Sequence, residues 1–211
     1  MPVVIAVDGP AASGKGTLAR RLAKELGYAY LDTGLLYRAV GLSMICDYKN
    51  PADKPSAARA ARALDLAKTD LSDPALRNEA TGQAAGIVAE NRDVRIALVE
   101  LQRTFAAAPP HDAPGAVLDG RDIGTVICPE ASYKLFIDAD LEVRAARRVK
   151  ELQEKGYQSI HSRVLQDMKE RDHRDRTRAV APLAPAADAS VIDTTNLNAE
   201  AVFALAMSFI R

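Results

Sequence analysis

Nine residues near the start of the chain, Gly9-Pro10-Ala11-Ala12-Ser13-Gly14-Lys15-Gly16-Thr17, have the types and spacing to hold a row of phosphates. Glycines let backbone N–H groups turn inward around an anion, a following helix adds positive potential at its start, and Lys15 can reach β- and γ-phosphates. A glycine-rich turn can also be a bare strand-to-helix connection. Here the complete spacing, set between an apolar run and an amphipathic stretch, favours nucleotide binding. Gly16 follows Lys15 where a Ser or Thr commonly contacts magnesium, with Thr17 one place later, which points away from switch GTPases and motor ATPases.

A second group lies late in the chain. Arg171, Arg174, Asp175 and Arg178 stand at relative positions 0, 3, 4 and 7, one face of a helix. Spacing alone favours a solvated, salt-bridged helix. The phosphate loop reverses that balance, because planar, permanently charged guanidiniums suit the spread charge of a phosphoryl group in transit. Lys15, Arg171 and Arg174 are therefore the catalytic candidates. An acceptor that is itself an ionised phosphate needs no general base. Asp32 and Asp119 fall just past expected strand ends, where ligands gather in open α/β sheets, so either can orient magnesium-bound water or serve as a turn or capping residue; both readings stay open. No direct protein ligand to Mg2+ is expected, only contact through water, with Thr17, Asp32 and Asp119 as candidates. The histidines at 111, 161 and 173 are scattered, and no ligand role is assigned to them.

Positioning these groups requires a sheet. Residues 3–7 are a continuous apolar run that reads as a strand buried on both faces, and 15–26 is a helix by its Leu18, Leu22, Ala23 and Leu26, stopped by Gly27. Residues 29–31 make a short second strand. Thr33 can cap a helix over about 34–46, and 50–63, alanine-rich around two prolines, is expected to connect short helices. An amphipathic stretch at 94–105 precedes Pro109, Pro110 and Pro114. Strands are then expected at 116–118, 134–138 and 191–193, with a helix at 141–153 ending near Gly156. Alternating elements joined by right-handed crossovers give three layers, a parallel sheet covered on both faces.

Composition bounds the partners. At 211 residues the chain fits one substantial core, and 28 basic against 28 acidic residues leave no net charge, which argues against a nucleic-acid or membrane-binding surface field. No run approaches a membrane span, and the first residues lack the pattern of a secretory leader, so a cytoplasmic protein, expected as a monomer, is read from the sequence. Cys46 and Cys128 form no close pair and are expected to be buried thiols.

Four segments together resemble the nucleoside monophosphate kinases, and within them bacterial cytidylate kinase. They are 8–17; Leu31-Asp32-Thr33-Gly34-Leu35-Leu36-Tyr37-Arg38; Asp119-Gly120-Arg121-Asp122-Ile123-Gly124-Thr125; and 170–186 with its Arg-Ala-Val-Ala-Pro-Leu. The resemblance implies a single kinase domain over 1–211 of the three-layer P-loop NTPase type, with a five-stranded parallel sheet, a monophosphate-binding insert within 33–105 and a short lid at 157–178. It implies ATP with Mg2+ as donor and CMP or dCMP as acceptor. Thr33, Arg38 and Arg121 would hold the acceptor phosphate, Arg95 and Asp122 the cytosine, Asp175 the ribose, and Arg178 would bridge towards the phosphate, with Tyr37 packing nearby. A carboxylate accepting from the cytosine amino group beside an arginine donor separates cytosine from uracil on chemistry alone. Surface ion pairs would explain Arg95 and Asp122 equally well without the resemblance.

Two departures from the family pattern stand out. Residues 63–85 lack a longer hairpin-forming insert, and Gly86 occupies the place of a cytosine-contacting serine, with Thr81 and Gln83 as candidate substitutes. Rival readings are a kinase for UMP, AMP or shikimate on the same core, and a module that binds ATP only as a switch.

Overall fold

Val3–Asp8 (β1) contains Ile5, Ala6 and Val7, none with any exposed surface, and such a run is stable only at the centre of a sheet covered on both sides. In the computed structural model, which describes residues 2–154 and 156–210, β1 is flanked by Gly115–Gly120 (β3) and Tyr133–Asp138 (β4). Ala29–Asp32 (β2) and Ser190–Asp193 (β5) are the edges of the order β2-β3-β1-β4-β5. The β1–β3, β1–β4 and β4–β5 ladders are parallel.

The chain divides into two compact units, Met1–Leu31 with Ala106–Arg211, and Asp32–Phe105. In the first, Lys15–Leu26 (α1) buries Leu18, Ala19, Leu22 and Ala23 against Ile5, Val7, Val117, Leu135 and Ile137. Ala199–Phe209 (α8) adds Val202 and Ala206 to the same core. Gly27 closes α1 in the left-handed conformation, its N–H bonded to the Ala23 carbonyl. Leu141–Glu154 (α6) and His161–Thr177 (α7) meet through Ala145, Val164 and Met168, and Ala11 and Ala12 of the phosphate loop pack on that cluster. Helix α8 was not anticipated; apart from Glu200 and Ser208 it is wholly apolar, and Asn198 caps its start.

The second unit is helical: Thr33–Cys46 (α2), Lys54–Arg62 (α3), Glu79–Val88 (α4) and most of Arg92–Ala107 (α5). Among its described residues after Asp32 there is no strand. Leu35, Ala39 and Leu76 form a core with Leu42, Leu64 and Leu71. The expected cap is corrected here: Thr33 lies inside α2, and the Asp32 carboxylate accepts from the Gly34 N–H at 3.1 Å. Where 50–63 was expected to connect short helices, the segment instead carries a helix of its own, α3, with Pro55 in its first turn. Helix α4 was not anticipated, since Gly82 and Gly86 interrupt its sequence. Cys46, expected to be buried, is exposed at the C-terminal end of α2, and Cys128 is half-buried.

Candidate active site

Strand register sets the first positions. Val7 pairs with Asp119 and Asp8 with Gly120, so two carboxylates come side by side where β1 and β3 end, the edge at which open α/β sheets bind ligands. Asp119 thus lies within β3, not past its end. The phosphate loop leaves β1 at Gly9, whose φ of 151° and distance of 2.0 Å from a built Cβ to the Ile137 carbonyl oxygen exclude any side chain. Helix α1 starts without a side-chain cap, so no side chain occupies its first amides, which are donors of the kind that bind phosphate. Ser13 is fully buried and its Oγ has no hydrogen-bond partner, an expensive state for a hydroxyl in a loop of converging donors. Lys15 Nζ lies 3.4 Å from the Pro10 carbonyl oxygen.

Asp119 overhangs the loop: a Cβ added to Gly16 would stand 3.1 Å from its Oδ2, which accepts from the Tyr30 hydroxyl at 2.7 Å. Arg20 approaches the same hydroxyl at 3.5 Å. Tyr30 therefore orients the carboxylate, a role its sequence position did not signal. Oxygen donors suit Mg2+, and the exposed Thr17 hydroxyl with the Asp119 carboxylate is a donor set of that kind. Asp32 already spends one oxygen on capping α2.

Sequence reasoning passed over Asp8, though an acid ending a wholly apolar strand was a legible signal. Its carboxylate is 5% exposed and accepts from Ile123 N–H and Gly124 N–H, both at 2.8 Å. Burial pushes its pKa up to about 6; the two amides oppose the rise, the neighbouring Asp122 charge adds to it, and Arg121 offsets part. Asp8 thereby fixes the turn that presents Arg121 and Asp122.

Those two residues are cross-linked to the end of α7. Arg121 Nε donates to Asp175 Oδ2 at 3.0 Å, and Arg178 Nη2 lies 3.5 Å from Asp122 Oδ1. Burial would raise the Asp175 pKa, but the guanidiniums of Arg121, Arg171 and Arg178 outweigh it and hold the group below its ordinary value. The structure thus brings Arg121, Asp122, Arg171, Asp175 and Arg178 into one charge array. Arg178 is corrected: it follows α7 with extended φ/ψ, so the helical stripe ends at Asp175, and Nε of Arg178 donates to the Ala181 carbonyl. Arg171 and Arg174 are exposed on α7.

In the second unit, Thr33 and Arg95 are buried, and the Arg95 guanidinium lies 5.7 Å from the centre of the Tyr37 ring. Arg38 Nη1 donates to the Leu76 carbonyl at 2.8 Å and reaches that of Asn78 at 3.4 Å. Thr81 is buried and donates its hydroxyl to the Ala75 carbonyl at 2.8 Å, while the exposed Gln83 lies 3.4 Å from Glu79. Among the described residues no group of acids, histidines and cysteines forms a metal cage, and no helix is long and apolar enough to cross a membrane.

Comparison with known proteins extends the likeness over the whole chain. The family described as cytidylate kinase matches residues 5–211. A cytidylate kinase of Paramagnetospirillum magneticum is 59% identical over 213 aligned residues, covering 100% of this chain and 98% of the relative. One of Rhodospirillum rubrum is 55% identical, covering 99% and 97%. Among solved structures, a gluconokinase from Sinorhizobium meliloti superposes with a TM-score of 0.55 at 13% identity, over 99% of this chain and 91% of that one. An uncharacterized protein from Eubacterium ventriosum gives 0.58 at 14%, over 99% and 98%. At such identities the two structures speak for the fold alone.

Proposed function

Since the chain belongs to the cytidylate kinase family, we infer from its own residues how it transfers the γ-phosphoryl group of ATP to CMP and dCMP, giving ADP with CDP or dCDP. The observation that supports this reading most is the phosphate loop with Lys15 and the orphaned Ser13 hydroxyl, in one unit with the Arg121, Asp122, Arg171, Asp175 and Arg178 array. One feature gathers a triphosphate; the other offers guanidiniums to a second anion.

A phosphate oxygen of the acceptor attacks the γ-phosphorus as the bond to the β-bridging oxygen breaks, and ADP leaves. The attacking oxygen is already ionised, so positioning and charge supply the rate. Loop amides and Lys15 hold the β- and γ-phosphates, and Arg171 and Arg174 neutralise charge on the moving group. ATP use by this family implies a divalent cation; as Mg2+, it would neutralise phosphate charge beside Thr17 and Asp119. Arg121 would exchange Asp175 for the acceptor phosphate, leaving Asp175 to a ribose hydroxyl, with Arg178 bridging towards the phosphate. Asp122 would accept from the cytosine amino group. Thr33, Arg38 and Arg95 of the second unit would supply further acceptor contacts. We place residues 157–178 as the moving lid within a single kinase domain, and the protein in the cytoplasm as a monomer.

The test is CDP formation from CMP, ATP and Mg2+ by purified protein, run beside UMP, AMP and shikimate. CMP and dCMP should lead by at least about tenfold in kcat/KM, the scale of one base-edge contact. A lead by AMP overturns the acceptor assignment, and ATP hydrolysis that ignores every acceptor favours a nucleotide switch. Sedimentation at the 22.6 kDa of one chain would agree with a monomer; a dimer would oppose it.

A further inference from the structure

A buried guanidinium in the first unit has no part in the scheme above. Arg144, on α6, is 3% exposed and spends three N–H groups on three separate segments. Nε donates to the Ala139 carbonyl at 2.8 Å, Nη1 to the Ala11 carbonyl of the phosphate loop at 3.3 Å, and Nη2 to Asp172 Oδ2 of α7 at 2.6 Å. Asp172 is 9% exposed, follows Arg171 directly and precedes Arg174 by two residues. One planar group therefore contacts both the loop expected to hold the donor's phosphates and the helix expected to stabilise their transfer.

We propose that Arg144, through Asp172, is a positioning residue for phosphoryl transfer: it sets the register in which α7, the helix of the lid, closes on the phosphate loop, so that Arg171 and Arg174 meet the group held by the loop. The proposal rests on the kinase reading. It adds two residues to which the scheme above gives no nucleotide contact.

Stability alone does not account for the pair. A buried ion pair commonly does no better than apolar side chains of similar volume, because both charges lose their water. Asp172 Oδ1 is also buried without a hydrogen-bond partner, so the desolvation of this carboxylate is only partly compensated. Apolar packing for the same junction already exists: Ala11 and Ala12 pack on the cluster of Ala145, Val164 and Met168. Such contacts are non-directional and tolerate sliding along the helix, whereas three hydrogen bonds from a rigid fork specify one placement. A neighbouring device acts on the loop in the same way. Thr194 donates its hydroxyl to the Ser13 carbonyl at 3.0 Å and accepts from Arg147 Nη1 at 2.9 Å, so α6 steadies the loop through two arginines three residues apart.

The test replaces direction with packing. The double variant Arg144→Met, Asp172→Leu should melt no lower than the parent, yet lose about tenfold or more in kcat, as expected when reacting groups are misplaced by about 1 Å. Its KM for CMP should stay within about twofold, since no acceptor contact is touched. The share of ATP hydrolysed without CDP formation should rise. Arg144→Lys, which keeps the charge and loses the fork, should fall between parent and double variant in kcat at an unchanged melting temperature. Parental kcat in the folded double variant overturns the proposal. So does a loss in kcat matched by equal changes in both KM values and a lower melting temperature, the mark of a merely structural pair. Should the double variant not fold, Arg144→Lys decides by the same kcat criterion. A parent chain that makes no CDP sinks the kinase reading and this proposal with it.

Discussion

Asp8 shows how a single side chain can oppose stability and serve position. Its pKa of about 6 exceeds the ordinary 3.8, so between those values the native chain holds a proton that the unfolded chain has released. Stability contributed by Asp8 is therefore present at low pH, falls as pH rises from about 4 to about 6, and is flat above, a loss of about 3 kcal/mol for roughly two pKa units. Asp8→Asn removes this titration. The unfolding free energy of parent minus variant, from urea denaturation, should fall across that interval; a constant difference contradicts the burial argument. Protonation also withdraws the doubly accepting carboxylate from Ile123 and Gly124, so parental kcat/KM for CMP should drop below about pH 6, the Asp8 value. Lys15 calls for a different measurement. Lys15→Ala should retain the parental melting temperature and lose about 10²- to 10³-fold in kcat, the scale for one preorganised charge on a developing anion. Undiminished turnover would remove the loop from the reaction.

Elements were legible in proportion to how local their determinants are. Strand β1 and helix α1 were readable almost to the residue, because an apolar run and a 3.6-residue stripe specify them without help. Helix α4 was not, since it contains Gly82 and Gly86 and owes its place to contacts with α2. Gly41 of α2 explains the dependence: a Cβ there would lie 2.9 Å from the Ala85 nitrogen and 3.0 Å from the Ala84 Cβ, so the two helices touch backbone to backbone. Gly41→Ala sets a helix-propensity gain of about 1 kcal/mol against an overpacking loss of about 1–3 kcal/mol, and a small net loss is expected. Gly41→Leu gains almost as much propensity but adds a far larger side chain at the same contact, so overpacking should dominate and destabilise the chain by more than about 3 kcal/mol in urea denaturation. Parental stability in the leucine variant would mean that α2 and α4 are not so closely packed.

At the scale of the whole molecule, candidate phosphate-loop and acceptor residues were readable because they cluster in short segments. The groups that hold them were not: Tyr30, Arg144 and Asp172 act across 89, 133 and 28 positions, and no local pattern announces such a partner. Ligand-linked stability reports on the assembled protein as no single contact can. CMP at about a hundred times its Kd should add about 2.7 kcal/mol to the folded state. For a chain of this size that is a rise of roughly 5–10 °C in melting temperature. UMP turns a carbonyl towards Asp122 where CMP turns an amino group, and a wrong-edge contact costs about 1–3 kcal/mol. For a penalty of about 2 kcal/mol, UMP at equal concentration is only about threefold above its own Kd, and the rise shrinks to about 2 °C. In Asp122→Ala the two shifts should converge, with that for CMP falling towards that for UMP. If the gap persists in the variant, Asp122 does not read the base, and the discrimination must come from the other acceptor-side residues, Arg95 first among them.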